Sequence, residues 1–471
     1  MYEAVIGLEI HTELKTETKM FSGAPNSYGL NPNTAVKEID LALPGTMPQV
    51  NTKAVAYGVK IARALNCEIE PLLRFDRKGY YYSDLPKGYQ ITQEYFPLGE
   101  HGYLDFYVKE DLKRVGIQRL HLEEDTAKQS HLEDKTLIDF NRAGTPLVEI
   151  VTEPDFRTGE EAASYVEAVR LLLIYLGVSD GKMAEGSLRC DVNISLREKN
   201  TEAFGTKVEI KNLNSISNVQ KSIEYEIKRQ SALLEKHETI VSETRRFDER
   251  LQETVLMRAK DGVIDYRYIV DANIPPTEIP EIYLTQDLEE TPLNRLNRLV
   301  EEVGLSFYDA NVLILNKEVS DYFDKVTSKT KNTKLVTNWL TQDLLSVLDQ
   351  KEDKTLEAWI KVDDFVDFIE AIASKEISSR QAKEVFAEMQ KGKSPKKIIK
   401  DKGMVVVSDE ETLIKWIEEI LEANPRAIED HQKGLPSAVK FVTGQVMRVS
   451  RGQANPQFTN KLVKQMLDKH L

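Results

Sequence analysis

Residues able to do chemistry are grouped in a few short segments, and their spacing is that of strands. Residues 5–14, read as a strand, put Val5, Gly7, Glu9, His11 and Glu13 on one face and Ile6, Leu8, Ile10 and Leu14 on the other. Residues 187–197 repeat the pattern, with Ser187, Arg189, Asp191, Asn193, Ser195 and Arg197 alternating with Leu188, Cys190, Val192, Ile194 and Leu196. Glu149 stands alone between Val148 and Ile150, and Glu123, Glu124 and Asp125 close a strand that ends at Leu122. An antiparallel sheet with one solvated face gives such alternation without any chemistry. A carboxylate inside an apolar run, however, costs free energy unless it is paired or ligates a metal. Glu9, Glu124, Glu149 and Asp191, with the His11 imidazole, are donors that suit Mg²⁺ better than zinc. Magnesium keeps waters and bridges to phosphate, so the set points to a nucleotide. The chain has neither a GxxxxGK[ST] loop nor a Rossmann fingerprint, which excludes a P-loop ATP site.

Basic and aromatic side chains are interleaved over residues 75–91. Arg77, Lys78 and Lys87 are candidates to hold phosphate, and Tyr80, Tyr81 and Tyr82 to stack on bases, although a hairpin packing its aromatics in the core explains about half of those tyrosines. Asn141 and Arg142 lie near Glu149, and a buried salt bridge accounts for that arginine almost as well as substrate binding. The formal charge is −14, from 63 basic and 77 acidic residues, which excludes a polybasic coat for nucleic acid or anionic membrane but not a local patch. Lys440, Arg448, Arg451, Lys461, Lys464 and Lys469 crowd the C-terminal end against Asp468, and Lys393, Lys396, Lys397, Lys400 and Lys402 form a second run. Any one of these lysines is best read as a solvated helix face; together they look like a footprint for a phosphate backbone.

The elements that must position these groups divide the chain. Up to residue 292 it reads as short strands with a few helices, an α+β class with a mixed or antiparallel sheet core. One helix is expected after Asn51, one from Thr158 with Glu161 completing a capping box, and one over residues 217–234. The proline-punctuated stretch 274–292 reads as a linker or wrapping segment. Beyond it, residues 293–303, 318–327, 336–348 and 362–373 have helical periodicity, with Ser378–Gln381 and Ser408–Glu411 as capping-box candidates and Gly403 as a break. The expected division is a core at 1–292, a helical domain at 293–405 and a small helical tail at 406–471. The first residues carry acid at once, and the most apolar window, 166–178, is short and holds Arg170, so neither a signal peptide nor a membrane span is expected. Two cysteines, Cys67 and Cys190, cannot build a disulfide framework or a Cys-rich zinc site, and suggest a reducing, cytoplasmic setting.

The segments GLEIH at 7–11, FDRKGYYYSDLPK at 75–87, HLEED at 121–125, NRAGTPLVEIV at 141–151, EGSLRCDVNIS at 185–195, EIKNLNS at 209–215 and GQANPQ at 452–457 form an ordered set. With them the chain resembles the B subunits of the aspartyl/glutamyl-tRNA(Asn/Gln) amidotransferase family along its whole length. That resemblance implies a ligase forming a carbon–nitrogen bond, with ATP and Mg²⁺ as cofactors and a YqeY-like tail domain that holds tRNA. It would phosphorylate the side-chain carboxylate of glutamate or aspartate mischarged on tRNA. Ammonia from the family's glutaminase partner, in a heterotrimer completed by a third, small polypeptide, would then displace phosphate. By resemblance, His11, Glu124 and Glu149 are the metal ligands, Glu9 and Asp191 line the same site, and Lys78, Lys87 and Arg189 contact phosphate or the tRNA end. Many relatives also carry two Cys pairs near the N-terminus that bind zinc. Here Ser22 and Ala24, then Lys37 and Asp40, stand in those places, so no zinc is expected and packing must hold the loop. A non-catalytic protein that only presents tRNA is the alternative reading. A glutamine hydrolase is disfavoured, because no GGSSG amidase segment occurs and neither cysteine has a nucleophile's setting.

Overall fold

The computed structural model describes residues 2–259, 265–404, 409–433, 435–450 and 453–469, in two compact units, Met1–Asn297 and Arg298–Leu471. In the first unit the polar strand at the N-terminus is β1 (Tyr2–Glu13). After it come α1 (Thr52–Ala64), β2 (Glu68–Ile69), β3 (Leu72–Leu73), β4 (Asp76–Gly79), β5 (Tyr89–Thr92), β6 (Gly99–Val108) and β7 (Asp111–Glu124). The chain continues through β8 (Lys128–His131), β9 (Thr136–Asp139), β10 (Pro146–Thr152), α2 (Gly159–Tyr175), β11 (Leu188–Glu198), β12 (Val208–Leu213) and α3 (Ile216–Glu235). It closes with β13 (Glu243–Asp248), β14 (Glu253–Ala259), β15 (Ile269–Val270), β16 (Thr277–Glu278) and α4 (Glu281–Thr285).

Nine strands form one sheet in the order β14-β13-β12-β11-β1-β10-β7-β6-β2, antiparallel except where β12 meets β13. β1 lies in its interior. The alternation in its sequence fixes its orientation, because Ile6, Leu8 and Ile10 are buried on the face that α2 covers with Tyr165, Val166, Val169 and Leu173. Cys190, Val192 and Ile194 of β11 lie in the same core, and α3 packs over β11 and β12. Caps start the helices where expected. Asn51 accepts from the N–H groups of Lys53 and Ala54, and Thr158 accepts from Glu161 N–H. The reciprocal half of the α2 box is displaced by one residue, since Glu161 accepts from Arg157 N–H. Residues 274–292 do wrap: β16 pairs with β3, and Arg63 of α1 donates to the carbonyls of Tyr283 and Gln286 beside α4.

The second unit is helical. Lys317–Thr327 and Val362–Ala373 form as the periodicity predicts, and Ser378 with Gln381 makes a complete capping box. The helix expected over 336–348 is instead split into α-helical Thr333–Asn338, a π turn at Trp339–Leu344 and a 3₁₀ segment at Leu345–Lys351. The hydroxyls of Thr337 and Thr341 donate to the carbonyls of Thr333 and Thr337, competing with the main-chain ladder there. Ser408, Arg451 and Gly452 lie outside the described residues; Asp409 caps the helix Glu410–Ala423. That helix, with Pro425–Gln432, Ser437–Val449 and Pro456–Asp468, encloses a core of its own around Leu413, Ile417, Val442, Val446, Val463 and Leu467.

Candidate functional site

The register of three neighbouring strands builds the site. His11 of β1 stands opposite Glu149 of β10, which stands opposite His121 of β7. All three side chains therefore rise from the same face of the sheet, away from α2. Glu149 Oε2 lies 3.2 Å from His11 Nε2 and 3.3 Å from His121 Nε2. Glu123, two residues beyond His121 and hence on its face, closes the group at 3.5 Å from His121 and 3.8 Å from His11. The electrostatics follow from this contact set. Burial works against the His11 charge, but Glu149 and then Glu123 outweigh it and push its pKa up to about 9. Burial would likewise raise Glu149, yet His11 and His121 hold it well below the usual carboxylate range.

A second polar group adjoins the first. Asp191 of β11 stands opposite Glu9 of β1, and Glu209 of β12 opposite Asn193. Lys211 reaches Asp191 at 3.0 Å and Glu209 at 2.9 Å, while Asn193 donates to Glu9 at 2.7 Å. Asn212 is in the left-handed region at φ 61° and turns its N–H to Asp191 Oδ1. Burial and the Glu149 charge raise the pKa of Glu9; against burial, Asp191 and Glu209 raise that of Lys211. Glu9, His11, Lys78, Glu149, Arg189, Asp191, Lys211 and Asn212 line one cavity of about 260 Å³. Arg189 is anchored at 2.9 Å from Asp125, the main cause of its raised pKa, and the Lys78 ammonium lies over the Tyr266 ring.

Six of the eight candidates from the sequence thus converge: Glu9, His11, Glu149, Asp191, Lys78 and Arg189. Glu124 and Lys87 do not join them. Glu124 follows Glu123 directly, and the pleat turns consecutive side chains to opposite faces. It accepts from Ile91 N–H and pairs with Lys87, in a separate small pocket lined also by Asp40, Asp84 and Asp125. The carboxylate that accompanies His11 and Glu149 is Glu123. The side-chain donor atoms of these three lie within 4.8 Å of one another, and so do those of Glu9, Asp191 and Glu209. Ligands at about 2.1 Å from one ion are separated by roughly 3–4 Å, so His11, Glu123 and Glu149 fit Mg²⁺ after small side-chain shifts, with the ion taking the place of the proton that Glu149 and Glu123 hold on His11. His121, Glu123, Glu209 and Lys211 were missed in the sequence. The i, i+2 spacing of His121 with Glu123, and of Glu209 with Lys211, was the signal that could have found them.

Other candidates have structural partners. Arg77 is tied to Asp271 at 2.9 Å, and Arg142 donates to the carbonyls of Thr126 and Ala127. Asn141 accepts from Ala35 N–H. Tyr81 and Tyr82 are exposed, and Tyr80 stacks edge-on with Tyr82 and Tyr266. The loop after β1 is held by more than apolar packing. Asp40 Oδ2 accepts from Ser22 Oγ at 3.1 Å and Lys37 N–H at 2.9 Å, and lies 3.4 Å from the buried Lys19 ammonium. Three of the four positions expected to lack zinc ligands thus meet through a carboxylate.

Two family models match the chain. The profile described as the GatB/GatE catalytic domain matches residues 4–285, and that described as the GatB domain matches residues 321–467. The B subunit of aspartyl/glutamyl-tRNA(Asn/Gln) amidotransferase from Shouchella clausii is 47% identical over 473 residues, covering 99% of each chain. The proteins of the same name from Staphylococcus saprophyticus and Macrococcus caseolyticus are 47% and 46% identical, again over 99% of each chain. One matched domain lies within each unit of the structure, and the first contains every residue of the cavity. The chain belongs to the family of aspartyl/glutamyl-tRNA(Asn/Gln) amidotransferase B subunits.

Proposed function

We propose that the chain is the activating and amidating component of a tRNA-dependent amidotransferase, using ATP and Mg²⁺ on glutamate or aspartate mischarged on tRNA(Gln) or tRNA(Asn). The observation that carries this reading is the convergence of His11 and Glu149 with Lys78 and Arg189 at one cavity, with the buried Glu123 beside His11 and Glu149. The names of the relatives supply the substrate class. A side-chain carboxylate cannot be amidated directly, because hydroxide is a poor leaving group. In the proposed reaction one of its oxygens attacks the γ-phosphorus of ATP, the bond to the bridging oxygen breaks, and ADP leaves. Ammonia then attacks the carbonyl carbon of the acyl phosphate, phosphate departs with the bonding electrons, and a proton passes to a cavity carboxylate. His11, Glu123 and Glu149 would hold Mg²⁺, which when bound would supply charge neutralisation for phosphoryl transfer. Lys78 and Arg189 orient anionic oxygens, Glu9 and Asp191 line the same cavity, and the exposed Tyr81 and Tyr82 offer stacking faces to the tRNA end. Ammonia comes from a glutaminase partner, and a third, small polypeptide completes the heterotrimer.

The test combines the chain with its partner subunits, ATP, Mg²⁺, ammonia and Glu-tRNA(Gln) or Asp-tRNA(Asn). His11→Ala and Glu149→Ala are expected to lower transamidation by about a hundredfold or more, because several kcal/mol of charge stabilisation depends on the metal. Normal rates in both variants would defeat the proposal and leave tRNA presentation as the role of the chain.

A further inference from the structure

His121 is a buried imidazole that the proposed reaction does not use. It is 2% exposed, does not line the cavity, and sits behind Glu149 and Glu123. Its Nε2 faces both carboxylates, at 3.3 Å from Glu149 Oε2 and 3.5 Å from Glu123 Oε2. Its Nδ1 is buried without a hydrogen-bond partner among the described residues. That pattern sets the tautomer. Both neighbours of Nε2 are acceptors, so a proton there is used twice, whereas one placed only on Nδ1 would leave three lone-pair groups facing one another in a buried site. Among the described residues, the other imidazole that reaches both Glu149 and Glu123 is His11, which stands at the cavity.

We infer that His121 is a positioning residue whose Nε2–H holds the Glu149 and Glu123 carboxylates side by side, so that with His11 they present a preformed site for a divalent cation. Two carboxylates this close repel each other when no cation lies between them. A donor fixed behind them by the β7–β10 register offsets the repulsion and sets the direction in which their remaining lone pairs point. This inference rests on the proposed metal site and adds to it the part that keeps that site assembled. Outer partners of metal ligands typically contribute 10–100-fold to affinity.

The test is Mn²⁺ binding to the full chain, followed by its electron paramagnetic resonance signal without ATP, tRNA or partner subunits. Loss of binding in Glu149→Gln, seen as a larger free-ion signal, assigns the site to this group, and wild-type chain that binds no Mn²⁺ would overturn both the metal reading and the inference. His121→Gln places an amide N–H near the original Nε2 and is expected to keep the affinity within about threefold, whereas His121→Asn, whose amide reaches only the Nδ1 position, and His121→Leu lose about 10–100-fold. Melting curves accompany each variant, and if His121→Leu does not fold, the contrast between Gln and Asn decides. Asn and Leu variants that bind as the wild type does would overturn the role of His121 while leaving the metal site standing. So would a Gln variant as weak as the Asn variant.

Discussion

Lys19 is fully buried, and its ammonium meets Asp40 Oδ2 at 3.4 Å and the Phe140 carbonyl at 3.2 Å. Burial draws its pKa down and Asp40 opposes the fall. Removing one member of such a pair strands the other in an apolar setting, which costs more than the pair contributes. Asp40→Ala is therefore expected to lower unfolding stability by about 3–5 kcal/mol in a urea titration. The double variant Lys19→Met, Asp40→Leu should recover much of that loss, because no charge remains unpaired. A double variant as unstable as Asp40→Ala would show that the hydrogen bonds of Ser22 and Lys37 to Asp40 matter more than the charge of Lys19.

Among the elements, α3 is fastened to the far strands of the sheet in part through one fully buried carboxylate. Glu226 is fully buried, bound to Arg229 and Gln230 of its own helix, to Arg245 of β13 and to Thr254 of β14. Burial alone would raise its pKa, but Arg229, Thr254 and Gln230 outweigh burial and hold it below the usual range. A carboxyl depressed in the folded state gives stability that is present above its ordinary value near 4.5 and is lost as pH falls through the depressed one. Melting temperature should thus fall more steeply with acid below about pH 4.5 in the wild type than in Glu226→Gln, which starts lower at neutral pH. Parallel curves would place the acid sensitivity elsewhere. Much of this level was legible in the sequence: the strict alternation of β1 and β11 specified which face is core, and Asn51, Thr158 and Ser378 marked three helix starts. The site was legible only in part. Alternation tells which residues of one strand share a face, so Glu9, His11 and Asp191 were found, but not which residue of a neighbouring strand lies opposite. That depends on register, and register is what brings Glu123 rather than Glu124 to His11. β13 and β14 carry no such alternation, and their pairing is long-range.

At the level of the whole chain, the charge of −14 and an expected tRNA partner are reconciled by where the basic residues lie. Lys440, Arg448, Lys461, Lys464 and Lys469 are all exposed, whereas Lys393 and Lys396 of the other run are tied to Glu388 and Asp367. Because the tail helices share one core, the informative change is in charge rather than length. Replacing Lys440, Arg448, Lys461 and Lys464 by Gln should weaken tRNA binding and lower its salt slope by up to about one per charge removed, with Mn²⁺ binding unchanged. An unchanged slope would remove the tail from the tRNA contact. Among the described residues, no helix is long and apolar enough to cross a membrane. The Asp40 closure of the N-terminal loop has a further consequence for the molecule in a stressed cell. A loop pinned by thiolates is opened by peroxide or alkylating agents, but one pinned by a carboxylate, a hydroxyl and a backbone N–H is not. The two thiols of the chain are poor targets as well, Cys67 pushed up to about 12 by burial and Cys190 fully buried, so oxidants that inactivate thiol-dependent enzymes should not act on this chain through its cysteines.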